Sequence, residues 1–209
     1  MNFRILTFCL LTSIYAFGQA TVLKEKKGES YYVLKDNPKI KHGLYQLSIK
    51  KVLVEKGQYE NDRKIGVWEF YDLEGNLEQK YDYSLKQLIF NKEAKQFGGY
   101  KIIAEGKPTD VEPDTPPIFI GGRSRYERFI GDNLKYPGGG IEGKEFVQVS
   151  LSRQGEILGT SIYKPILSAD IDKEALRLAK ELPKEWIAAK HQGSDVESTV
   201  ILPMAFRPK

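Results

Sequence analysis

Residues 142–157 read EGKEFVQVSLSRQGEI. In an extended chain Val147, Val149 and Leu151 share one side, and Phe146, Gln148 and Ser150 share the other, which is the period-two pattern of a half-buried strand. Arg153-Gln154-Gly155 follows as a turn, and Ile157, Ile162 and Tyr163 predict a second strand antiparallel to the first. A small sheet of this kind has open edges, and an open edge is either covered or offered to a partner.

Toward the C-terminus, Ser168 or Asp170 caps a helix in which Ile171, Ala175, Leu178 and Leu182 form one apolar face, and Pro183 ends it. The last element alternates Val196, Ser198, Val200 and Leu202 against Glu197, Thr199 and Ile201. Pro203 has no N–H to donate and belongs on an edge or at a strand end, so residues 196–202 are expected to lie open along one side. Upstream, Gly121-Gly122 lead into Tyr126, Phe129 and Ile130 at helical spacing, and Tyr136-Pro137 close that helix.

Residues 105–117, EGKPTDVEPDTPP, hold four prolines and four acids and predict a linker between two units. At about 13 residues it spans roughly 40 Å when extended. Asp110, Glu112 and Asp114 lack the glycine turn and further oxygen ligands of a calcium loop, so no metal is expected there. Before the linker, His42-Gly43-Leu44-Tyr45 recurs as Ile65-Gly66-Val67-Trp68. With turn formers at Asn61-Asp62 and Glu74-Gly75-Asn76, residues 21–104 read as a small β-hairpin or meander repeat domain.

The first twenty residues carry a basic start at Arg4, an apolar stretch from Ile5 to Phe17, and small residues that allow cleavage after Gly18 or Ala20. They read as an export signal rather than a membrane span, which needs about 20 apolar residues. The single cysteine, Cys9, lies inside it, so the mature chain is expected to have no thiol, disulfide or zinc-thiolate site. A net charge of +4 spread among interspersed acids gives no nucleic-acid stripe. His42 and His191 are far apart and no nucleophile motif is present, so the sequence predicts neither an enzyme nor a cofactor.

The stretch GQYENDRKIGVWEFYDLEGNLEQKYDY resembles the MORN-type repeats of envelope proteins through Gly66, Trp68, Tyr71, Gly75 and Leu77. The run from Pro117 to Phe206 resembles the C-terminal domain of TonB, in the form common among Bacteroidetes-type energy transducers. It matches through Pro117, Phe119, Gly121 and Gly122, through Leu134 to Tyr136 and Pro137, and through Gly143 and Gly155. Further matches are Glu174 to Leu176, then Leu182, Pro183 and Trp186, and finally Pro203 and Phe206. The departures are Glu145 at an apolar strand position, Glu185 as an insertion before Trp186, and Ala188 where a proline is usual.

The resemblance implies an α+β class, with a C-terminal two-layer domain (118–209) of helices on a small antiparallel sheet. Its edge strand, Val196, Glu197, Ser198, Thr199, Val200, Ile201 and Leu202, pairs with an extended segment of an outer-membrane TonB-dependent receptor or other envelope protein. Inner-membrane motor proteins are further implied partners, and the implied role is energy transduction for TonB-dependent transport. The location is periplasmic, with inner-membrane anchoring if the N-terminus is retained. The alternative is an exported envelope scaffold or binding module that keeps the fold without energy coupling. Trp186 is expected as a core plug.

Overall fold

Two-residue turns shape the first half of the chain. The computed structural model describes residues 19–93 and 95–208. The expected export signal at 1–20, with Cys9, falls outside the described residues but for its last two. From Thr21 to Asn91 seven strands follow one another: β1 (Thr21–Lys26), β2 (Glu29–Leu34), β3 (Lys41–Ile49), β4 (Val52–Glu60), β5 (Arg63–Tyr71), β6 (Leu77–Asp82) and β7 (Gln87–Asn91). Each pairs antiparallel with its neighbours in sequence order. Asn61 and Asp62, both at positive φ (50° and 65°), turn β4 into β5, and Lys50 and Lys51 (48° and 71°) turn β3 into β4. Left-handed pairs of this kind match the twist of the strands they join.

The meander has one aromatic face. Trp68 is 0% exposed and packs against the rings of Tyr45 and Tyr59 at 5.4 and 5.1 Å. It also lies on Gly57, where an added Cβ would stand 2.2 Å from the indole. The face is closed by Ile120 and Ile187, which come from the other half of the chain.

That half contains β8 (Gly98–Ala104), β9 (Lys107–Pro108), β10 (Ile118–Phe119), α1 (Gly122–Asn133), β11 (Gly143–Leu151), β12 (Ile157–Ile162), α2 (Ala169–Glu181), β13 (Trp186–Ile187), β14 (Ala189–His191), β15 (Ser194–Val196) and β16 (Ser198–Phe206). Five of these strands form a sheet in the order β12-β11-β16-β8-β9. Val147, Val149 and Leu151 of β11 and Val200, Leu202, Met204 and Phe206 of β16 point to one face. Ile171, Ala175 and Leu178 of α2 cover that face, and α2 begins where the Ser168 hydroxyl accepts the Ile171 N–H at 3.3 Å. Helix α1 stands between the two sheets: Tyr126 and Ile130 enter the C-terminal core, while Arg125 and Arg128 turn toward Glu55 of the meander.

The expected α+β class is corrected. Among the described residues strand accounts for 50% and helix for 13%, so the described structure is mostly β, with two helices and large antiparallel sheets. The reading from sequence underestimated the strands because β1, β7, β8 and β13 to β15 are short or lack clean alternation. Residues 105–117, expected as a linker, are bonded along their length. Val111 O accepts the Ile102 N–H at 2.9 Å, and Thr115 exchanges two backbone bonds with Lys190 at 3.0 and 2.9 Å. Among the described residues no helix is long and apolar enough to cross a membrane.

Candidate partner-binding edge

Strand β16 pairs with β11 in an unbroken register from Gly143↔Phe206 to Leu151↔Ser198. The direction of each main-chain group follows from the alternation of an antiparallel ladder. The Phe146 carbonyl accepts the Tyr163 N–H at 2.8 Å and so points toward β12. Its neighbours Glu145 and Val147 then point toward β16, and their partners Met204 and Leu202, with Val200 and Ser198, point back. The odd positions of β16 point the other way. In agreement, Glu197 O accepts the Ile103 N–H at 2.8 Å, and Pro203 O accepts the Tyr126 hydroxyl at 3.0 Å. Pro203 is thus at a position where its missing N–H costs no ladder bond.

The outer side of β16, expected to be open over Val196 to Leu202, is occupied. Strand β8 pairs there through Ser198↔Ile102, Thr199↔Lys101 and Ile201↔Gly98, with a register shift between Thr199 and Ile201. Val196 lies in the separate β14-β15 hairpin, opposite Ala189. The expectation failed because the covering strand comes from before the linker, and strand alternation does not reveal which distant segment will pair. Sequence reasoning missed Tyr100 for the same reason. Tyr100, 3% exposed, is the one fully buried side chain of β8, and its oxygen accepts the Phe97 N–H at 2.6 Å. Alternation in Tyr100-Lys101-Ile102 after Gly98-Gly99 was the available signal.

Beyond the end of β8, α1 forms the wall. Tyr126, Ile130 and Leu134 face Ala205 and Lys144 across a groove of about 350 Å³. The position of α1 is set by charge. Arg125 pairs with Glu185, Lys64 reaches the same carboxylate at 3.1 Å, and Arg128 meets Glu55 at 3.2 Å. Burial alone would push the Glu185 carboxyl up, but Arg125 and then Lys64 hold it below the usual carboxylate range. Burial, and then Arg125, push the Lys64 ammonium below its ordinary value. Glu185, the apparent insertion, is the residue that ties α1 and β13 to the meander.

The remaining motif residues serve packing and turns. Gly155, at φ 79°, approaches Trp186 so closely that a Cβ would lie 2.1 Å from the Trp186 carbonyl oxygen. Trp186 is 5% exposed and packs against Phe119 at 5.1 Å. Tyr136 donates its hydroxyl to Ile141 O at 2.9 Å, closing the loop that carries exposed Pro137. Gly143 begins β11 opposite Phe206, which is fully buried. Glu145 is 0% exposed. One carboxylate oxygen accepts the Phe146 N–H at 3.0 Å, and the other has no hydrogen-bond partner among the described residues.

Asp110, Glu112 and Asp114 each take a different partner: Lys101 at 2.8 Å, Lys95 at 3.2 Å and the Gln192 N–H at 2.7 Å. Among the described residues no group of three or more acids, histidines or cysteines is arranged to hold a metal ion.

Residues 138–208, which include β11, β12, α2 and β16, match the family model described as Gram-negative bacterial TonB protein C-terminal. No curated protein and no solved structure matches the chain.

Proposed function

We propose that this chain is an envelope protein of TonB type. In this reading its C-terminal sheet captures an extended segment of an outer-membrane receptor by strand addition to β16, in exchange for the β8-β9 hairpin. What supports the reading is the origin of β8. The family match begins at residue 138, and β8 lies outside it, yet β8 is laid antiparallel on the outer side of β16. A strand already laid on that edge supports strand addition, the mode in which main-chain bonds provide affinity and side-chain pockets provide register. The hairpin is held by few paired residues and one buried side chain, so a partner strand with better register competes with it. Energy transduction, motor-protein contacts, a periplasmic location after export, and a boundary at residues 105–117 between a MORN-like repeat unit and the TonB-like unit belong to this same reading. No acid, base or nucleophile is required of it.

The second reading is an envelope scaffold without energy coupling. It is favoured by the occupied edge together with the Arg125-Glu185-Lys64 network, which fixes the meander against α1. One experiment separates the two. Peptides from the N-termini of outer-membrane receptors are titrated against the full chain and against Tyr100→Ala, which loosens β8. Stronger capture by the variant, with protection of β16 amides from exchange, supports strand addition. Equal and negligible capture by both supports the scaffold.

A further inference from the structure

On the face of the five-stranded sheet opposite α2, a trough of about 470 Å³ lies over β11 and β16. Its floor is the cross-strand pair Phe146 and Pro203 with Ile201, and its walls carry Phe97, Tyr163 and Ile166. Tyr163 and Ile166 are about half exposed, apolar surface left uncovered by the described residues. Lys95, Arg123 and Lys164 line the trough, and among the described residues no carboxylate does. Lys95 and Arg123 have acidic partners, Glu112 and Glu127, in exposed pairs of little strength, and Lys164 has none among the described residues. A volume in the roughly 300–1,000 Å³ range, an apolar lining and a few polar groups of one charge are the features of a small-ligand site.

We propose that this trough binds a single-chain carboxylate amphiphile, its chain along Phe146, Ile201 and Pro203 and its carboxylate among the three cations. With β8 in place, the main chain argues against a peptide here. Ile201 is already paired with Gly98, Pro203 has no N–H, and its carbonyl is taken by Tyr126. The trough thus offers side-chain surface without a free strand edge. A second copy of the chain would set cations against cations.

The test is calorimetric titration of the full chain with decanoate, below its micelle concentration, and with decan-1-ol. The expected result is one saturable decanoate site, with decan-1-ol bound at least about tenfold more weakly, a difference of about 1.4 kcal/mol. Lys164→Glu should weaken decanoate about tenfold and leave decan-1-ol unchanged. Ile166→Asp, on an exposed wall where folding is unaffected, should abolish both. Absence of saturable binding, equal affinity for the alcohol, or binding that survives Ile166→Asp overturns the proposal. Self-association of the ligand-free chain that Ile166→Asp abolishes overturns it in favour of a second copy as the occupant.

Discussion

The seven-stranded and five-stranded sheets are both antiparallel, but they are assembled differently. In the first, every strand pairs with the next in sequence, and connections of two to six residues, three of them two-residue turns, bring the partners together. In the second, β16 at the C-terminus lies between β11 and β8, and β8 precedes both helices. Local pairing costs little chain entropy, whereas distant pairing must close long loops before any contact rewards it. The first sheet is thus specified by its turns, while the second depends on what packs around it: α1, Trp186 and the Glu185 ion pairs. The strand exchange proposed above falls on the edge that receives β8.

The strongest way to probe this contrast is to empty each core in turn. Trp68→Ala and Trp186→Ala should each cost about 3 to 5 kcal/mol, the usual penalty for removing a large buried aromatic. Ile120 and Ile187 close the meander's aromatic face. Denaturant unfolding should therefore show both losses in a single transition. Two separate transitions, each sensitive to only one tryptophan, would mean that the sheets are independent.

Glu185→Gln attacks the connection itself. It removes the nearer of the two carboxylates shared by Arg125 and Lys64, leaving Glu55 at 4.0 and 3.8 Å, and breaking a buried pair of this kind costs about 3 kcal/mol. The parent chain should also lose stability in acid. The Glu185 carboxyl is held below its ordinary range in the folded state, so its contribution is full at neutral pH and disappears as pH falls through that lowered value. Thermal melts across this acid range should fall less steeply for Glu185→Gln than for the parent, and equal slopes would remove Glu185 from the account.

Proline substitution distinguishes the two sides of β16. Val200 points its N–H into the β11 ladder, so Val200→Pro should destabilise the C-terminal sheet by about 3 kcal/mol. Thr199 points toward β8. Thr199→Pro should leave the fold cooperative by circular dichroism and thermal melt, while hydrogen exchange at residues 98–104 rises and receptor-peptide capture weakens. If both variants melt alike, the assignment of inner and outer sides is wrong.

The smallest effect concerns Glu145, a carboxylate in the C-terminal core with one oxygen unpartnered among the described residues. Glu145→Leu removes a buried polar group and restores apolar packing, so the midpoint of denaturation should rise, by about 1 to 3 kcal/mol in stability. A loss of stability would show that the carboxylate has a partner in solution.

The sequence by itself determined what depends on neighbours along the chain. The alternation of Val147, Val149 and Leu151 specified β11, Gly155 its turn, Ser168 or Asp170 the start of α2, and Asn61-Asp62 the hairpin from β4 to β5. Pro203, unable to donate, was legible as a residue for an edge or a strand end, and the order of motif residues from Gly143 to Phe206 pointed to the family that residues 138–208 match. Only the tertiary structure decided which strand lies against the outer side of β16, why Glu185 stands before Trp186, and how residues 105–117 are docked. A strand edge offers the same N–H and C=O groups to any partner, and a buried ion pair joins residues as distant as Lys64 and Glu185. Spacing along the chain carries no signal for either, because both are chosen by the packing of the whole molecule.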